Sequence, residues 1–164
     1  MHDPVRPLTF SEFSHLWLRD HASVRMKPTG FSAYESTIRL HLVPELGDLL
    51  LRELSPLQVS QFLARQVESG LSPRTVANEL RLLRSMFKTA VAWGLVPTDP
   101  TAKVGLPHIA RPQRAFLTAS EMGRLIDATA PAWVIVTALP CLVGARRGEI
   151  LACTWPQISI PNKT

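Results

Sequence analysis

Residues 70–94 read GLSPRTVANELRLLRSMFKTAVAWG, and their periodicity decides the fold. Ser72-Pro73 is a helix start: a serine oxygen accepts from free N–H groups of the first turn, and a proline there gives up no hydrogen bond. Val76, Leu80, Leu83, Phe87 and Ala90/Val91 then recur at three- and four-residue spacing, the mark of one apolar helix face. Gly94 is a stop signal. At about 100° per residue, Arg74, Asn78, Arg81, Ser85 and Lys88 fall in a second stripe on roughly the opposite side, with Arg84 beside it. One long helix therefore offers a core on one side and cations with amide and hydroxyl groups on the other.

Working outward, the preceding segments carry the same signals. Ser55-Pro56 opens a helix through Glu68, with Val59, Phe62, Leu63 and Gln66 in line and Gly70 closing it. Leu49–Leu54 is a short apolar connector. Ser32–Leu42 is read as a helix with Tyr34, Ile38 and Leu42 aligned, ended by Pro44 and Gly47. Thr9 or Ser11 caps a first helix to about Arg25, whose Phe10, Phe13, Leu16, Trp17 and His21 form a buried face, and Lys27-Pro28-Thr29-Gly30 breaks it. Downstream, residues 96–115 hold Pro97, Pro100, Pro107 and Pro112 and read as an extended linker. Thr118-Ala119-Ser120-Glu121 is a capping box that starts a further helix to about Ala128. Ala132 to about Leu142 and Arg147–Trp155 complete an all-α pattern, with Pro140 expected to kink the approach to Arg146.

The charge is unevenly placed. The net +5 is accounted for by the window Arg65–Arg114, where eight basic residues (Arg65, Arg74, Arg81, Arg84, Lys88, Lys103, Arg111, Arg114) face only Glu68, Glu79 and Asp99. A local cationic excess suits a polyanion, because each neutralised phosphate releases condensed counterions. Charge alone leaves a solvated helix face equally open. Cys141 and Cys153 form no metal-ligand or CxxC spacing and read as reduced interior thiols of a cytoplasmic protein. MHDPVRPLTF lacks the apolar core of a signal peptide, and no run approaches the roughly 18 apolar residues of a membrane span. In Gly144-Ala145-Arg146-Arg147-Gly148-Glu149, the acid three residues after Arg146 is placed to fix a guanidinium fork for a phosphate, or simply to cap the last helix.

These segments together resemble the tyrosine recombinases, or phage integrases. Gly-x-Arg-x-x-Glu followed by Ile150-Leu151 and Trp155-Pro156-Gln157-Ile158 resembles the family's catalytic-domain turn and its Trp-x-x-Ile ending. His41-Leu42-Val43-Pro44-Glu45-Leu46-Gly47, the Gly70–Asn78 helix entry, Asp99-Pro100 and Leu117-Thr118-x-x-Glu121 resemble its other landmarks in the same order. The resemblance implies a helical SAM-like core-binding domain at 1–95, a linker at 96–115, and the first helices of an α+β catalytic domain at 116–164. It also implies a clamp on double-stranded DNA acting in site-specific recombination and integration, with no metal and no small-molecule cofactor, and with other recombinase protomers as further partners. Arg146 corresponds to the first catalytic arginine, with Glu149 orienting it. Arg74, Thr75, Asn78, Arg81, Arg84, Ser85, Lys88, Arg39 and Arg114 are the expected DNA-binding side chains.

The departures bear on catalysis. The family's lysine, His-x-x-Arg helix and nucleophilic tyrosine are expected beyond residue 158. The only tyrosine, Tyr34, reads as a core aromatic of the first domain. His108-Ile109-Ala110-Arg111 fits His-x-x-Arg literally, but it precedes Arg146 and lies between two prolines that disfavour a helix. The expectation is a truncated recombinase that binds DNA without cleaving it alone, with 1–95 stable and 115–164 protease-sensitive or self-associating. A stand-alone DNA-binding module or regulator at recombination sites, and a helical protein-interaction protein, are the alternatives.

Overall fold

A computed structural model of the chain describes residues 7–105 and 115–154. The chain divides into two compact units, Met1–Ala110 and Arg111–Thr164. Among the described residues every regular element is helical, and the one extended pairing is an antiparallel bridge between Thr9 and Leu50.

In the first unit, α1 covers residues 10–25, with α-helical Phe10–Trp17 and Ser23–Arg25 on either side of a π turn at Leu18–Ala22. Its start is a reciprocal capping box: Glu12 N–H donates to Thr9 Oγ1 at 3.2 Å and Thr9 N–H donates to Glu12 Oε2 at 3.1 Å. The apolar connector runs beside this entry, Leu51 N–H donating to Leu8 O and Phe10 N–H to Leu49 O, each at 2.9 Å. α2 covers residues 28–46: Pro28–Thr37, a π turn at Ile38–Leu42, and Val43–Leu46. It therefore begins four residues before the expected Ser32. The first helix ends at Arg25, before the expected break. Pro28 stands in the first turn of α2, where its missing N–H costs nothing, so Pro28, Thr29 and Gly30 open α2. Nor does Pro44 end α2. The Val43 N–H reaches back five residues to Ile38 O, and this wider turn lets the helix run past the proline to Leu46.

α3 (Pro56–Glu68) starts with a second capping box, between Ser55 and Gln58, and α4 (Pro73–Ala92) is capped by Ser72, as the sequence predicts. Gly70 and Gly94, at φ of 88° and 70°, adopt the left-handed backbone that ends each helix. The core joins all four: Phe10, Phe13, Trp17, Ile38, Leu42, Val59, Phe62, Val76, Leu80, Leu83 and Phe87 are buried in one cluster. Each such side chain contributes about 1.5–3 kcal/mol of burial. The Trp17 indole N–H donates to Thr89 Oγ1 at 3.1 Å, fixing α1 on α4 through a buried polar contact.

Residues 96–105, assigned from the prolines to the start of a linker, instead pack on the first unit. Val96, Thr101 and Val104 are buried, Asp99 Oδ1 accepts from Thr101 N–H at 2.7 Å, and Arg84 donates to the Val104 carbonyl. The other half of that segment, including Arg111, Arg114 and the His108–Arg111 sequence, lies outside the described residues.

In the second unit, α5 (Ala119–Asp127) begins at the expected Thr118–Glu121 capping box. A single 3-10 turn, Pro131–Trp133, leads into α6 (Val134–Val143), which contains Pro140. Gly144, at φ of 67°, turns the chain into α7 (Arg147–Leu151). None of this unit's described residues is buried, and Phe116, Trp133, Ile135, Leu142 and Val143 are largely exposed. Cys141 is half-buried and Cys153 exposed, both as free thiols, so Cys153 is not the interior residue expected. The Trp155–Ile158 stretch falls outside the described residues.

Candidate nucleic-acid interface

The apolar stripe of α4 turns its opposite side to solvent. Arg74, Asn78, Arg81 and Lys88 are exposed, while Thr75, Arg84 and Ser85 are half-buried at its borders. Arg81 Nη1 donates to Asn78 Oδ1 at 2.7 Å, which orients both groups and leaves the remaining guanidinium N–H groups for a ligand. Thr75 shares a 2.8 Å hydroxyl contact with Ser72 at the head of the helix. Arg84 is different: its hydrogen bond to Val104 O ties down the segment after α4, so its first role is structural. Arg39 is exposed on α2. Arginine, lysine, asparagine and hydroxyl side chains are chemically able to contact phosphates and base edges.

Beside the face, α2 and α4 enclose a cavity of about 270 Å³ lined by Ala33, Tyr34, Thr37, His41, Thr75, Asn78, Glu79, Arg81 and Leu82. Glu79 is only 1% exposed, and His41 Nδ1 lies 2.9 Å from its Oε1. The contact is one of charge and proximity; beyond it, neither carboxylate oxygen has a hydrogen-bond donor among the described residues. Burial pushes the Glu79 carboxyl above the ordinary carboxylate range, and the nearby His41 pulls against that shift. In the sequence His41 stands out only as the head of the His41–Gly47 landmark and Glu79 only in the charge count, and nothing there pairs the two. The signal was present: Glu79 sits about 140° around the helix from Arg74, on the core side.

In the second unit, Arg146 N–H donates to Glu149 Oε2 at 2.8 Å and Arg146 Nη1 donates to Oε1 at 2.9 Å. The carboxylate thus holds both the backbone and the guanidinium, as their spacing suggests. Both side chains stand exposed, at 87% and 56%. Among the described residues no cluster of metal-ligating side chains exists, and no helix is long and apolar enough to cross a membrane.

A family model described as phage integrase, N-terminal SAM-like domain, matches residues 9–67, covering α1 to α3. An integrase from Saccharopolyspora erythraea is 26% identical over 97% of the chain. The tyrosine recombinase XerC of Thermodesulfovibrio yellowstonii is 30% identical over 46% of it. This chain is similar to the tyrosine recombinases. The chain spans 37% of the Saccharopolyspora integrase and 25% of that XerC. The phage integrase SAM-like domain from Moorella thermoacetica is similar with a TM-score of 0.55 and 29% identity, over 70% of this chain and 97% of that domain. A lambda integrase dimer bound to a COC′ core site has a TM-score of 0.80 at 19% identity, over 98% of this chain and 48% of that one, a likeness of fold. The recombinase fold accounts for the all-α first unit.

Proposed function

We propose that this chain supplies the DNA-gripping part of a site-specific recombinase, its first unit laying the basic face of α4 along duplex DNA. The observation that carries this reading is the exposed line of Arg74, Asn78, Arg81 and Lys88 on one helix side, within the only strongly cationic stretch of the sequence. Arg74 and Lys88 act on phosphates, while Asn78 and the oriented Arg81 are suited to base edges. Arg39, Thr75 and Ser85 extend the binding surface, and Arg84 supports it from behind. The gripping unit takes in residues up to 105 as well as 1–95, and 116–164 is the start of a catalytic domain. There, Arg146 binds a scissile phosphate with Glu149 orienting its fork. Tyr34 packs against Trp17 with ring centroids 6.1 Å apart and serves the core, so strand cleavage is not assigned to these residues. Association with other recombinase protomers, and a cytoplasmic site of action where the DNA lies, belong to the same reading. The lambda integrase relatives are dimers or tetramers on DNA.

The test is the salt dependence of duplex binding. Changing Arg74, Arg81 and Lys88 together to alanine should weaken binding and flatten the slope of log K against log salt by about 0.9 for each phosphate no longer neutralised. Parent-like affinity and slope in the triple variant would reduce the stripe to a solvated face.

A further inference from the structure

The Glu79–His41 pair is an expensive arrangement. A carboxylate at 1% exposure without a full set of donors is destabilising, and an apolar side chain at 79 would close the α2–α4 seam without that cost. The pair also lies where the proposed DNA surface begins. Asn78 and Arg81, exposed on that surface, line the same cavity as His41 and Glu79. His41 is engaged through Nδ1, yet its side chain remains 28% exposed, so Nε2 is the nitrogen available to a ligand. A buried acid behind a histidine fixes the ring orientation and favours the imidazolium, whose second N–H then becomes a charged donor.

We infer that His41 is a DNA-contact residue that donates from Nε2 to a backbone phosphate oxygen, with Glu79 as its positioning residue, and that DNA binding takes up a proton at this pair. The inference rests on the reading of α4 as a DNA surface. The titratable and charged groups around the cavity are Tyr34 and His41 from α2 and Glu79 and Arg81 from α4. Arg81 is turned toward Asn78 and Tyr34 packs against Trp17, which leaves the histidine–carboxylate pair as the group placed to take up the proton. Phosphate on one side and carboxylate on the other hold the imidazolium proton more firmly than the free protein does. Affinity therefore rises as pH falls through the histidine range.

The experiment measures binding of the full chain to one labelled mixed-sequence duplex at fixed salt from about pH 5.5 to 8.5. The parent should gain up to about tenfold in affinity per pH unit in the histidine range. His41→Gln should lose this pH response, and His41→Lys should keep the affinity of the low-pH parent at every pH. Glu79→Gln should weaken binding and move the midpoint to lower pH, which a merely structural role would not do. Circular dichroism of each variant checks that it is folded. If the parent fails to bind the duplex at any pH, the reading of α4 fails and takes this inference with it. If the parent binds with a flat pH profile, or its slope survives in His41→Gln, this inference alone is overturned.

Discussion

Replacing Thr89 with valine tests the contact that fixes α1 on α4. Valine has nearly the same shape, so packing around Trp17 stays close to that of the parent, but the acceptor 3.1 Å from the indole nitrogen disappears. Trp17 is fully buried and Thr89 is 7% exposed, so water does not replace the missing partner. An orphaned buried donor costs about 1–3 kcal/mol. The Thr89 hydroxyl also donates to Ser85 O at 3.0 Å, a local bond inside α4 whose loss adds little. For a domain of this size each kcal/mol lowers Tm by about 4–8 °C. Trp17→Phe removes the donor and leaves a void instead, so the two changes made together should cost less than their sum by about 1 kcal/mol. Urea unfolding of the four proteins, followed by far-UV circular dichroism with the slope m held common, gives the cycle. If Thr89→Val lies within about 0.5 kcal/mol of the parent, or the two changes are additive, the hydrogen bond does not hold the helices as argued.

Two other outcomes follow from the same unit. A Cβ on Gly47 would run into the Val43 carbonyl oxygen, whereas one on Gly30 meets nothing within 4 Å. Urea unfolding should accordingly show Gly47→Ala less stable by about 1–3 kcal/mol and Gly30→Ala more stable by about 0.5–1 kcal/mol; equal effects would contradict the turn geometry. The raised Glu79 carboxyl binds its proton more tightly in the folded than in the unfolded chain, so its contribution to stability is full at low pH and is lost as pH rises through the folded-state value. The Tm gain of Glu79→Gln over the parent should therefore be larger near about pH 8 than near about pH 4, and a pH-independent gain would show that burial is not what disfavours the charge.

Much of this architecture was legible because its signals are local. Ser55-Pro56, Ser72-Pro73 and Thr118–Glu121 mark helix starts through side chains that act within three residues, and the spacing from Val76 to Ala90 needs no knowledge of what it packs on. The errors arose where a local signal has two physical outcomes. Pro28 both breaks and opens helices, and only the extended Lys27 before it, with ψ of 151°, decides between them. Pro44 looks like a stop unless the preceding turn widens, and no composition rule announces a π turn. The prolines of 96–105 suggested a linker, but the long-range bond from Arg84 and the burial of Val104 hold that stretch in place. At the interface, the outward stripe could be read because exposure follows periodicity. The Glu79–His41 pair could not, since it joins residues on two helices, one seen in the sequence only as an acid in a charge count and the other only as the head of the His41–Gly47 landmark.

The π turn at Ile38–Leu42 carries one residue more than the same length of regular helix requires. A lineage that lost that residue would keep a good helix and the apolar composition of the core, but every side chain after the turn would be rotated by about 100° about the axis. His41 lies within the turn, and Pro44 and Leu46 follow it. The chemistry of this seam is thus tied to a count of residues as well as to their identities. Among relatives, a single-residue gap between 38 and 42 would mark a chain whose histidine no longer meets the carboxylate, even where both amino acids are retained.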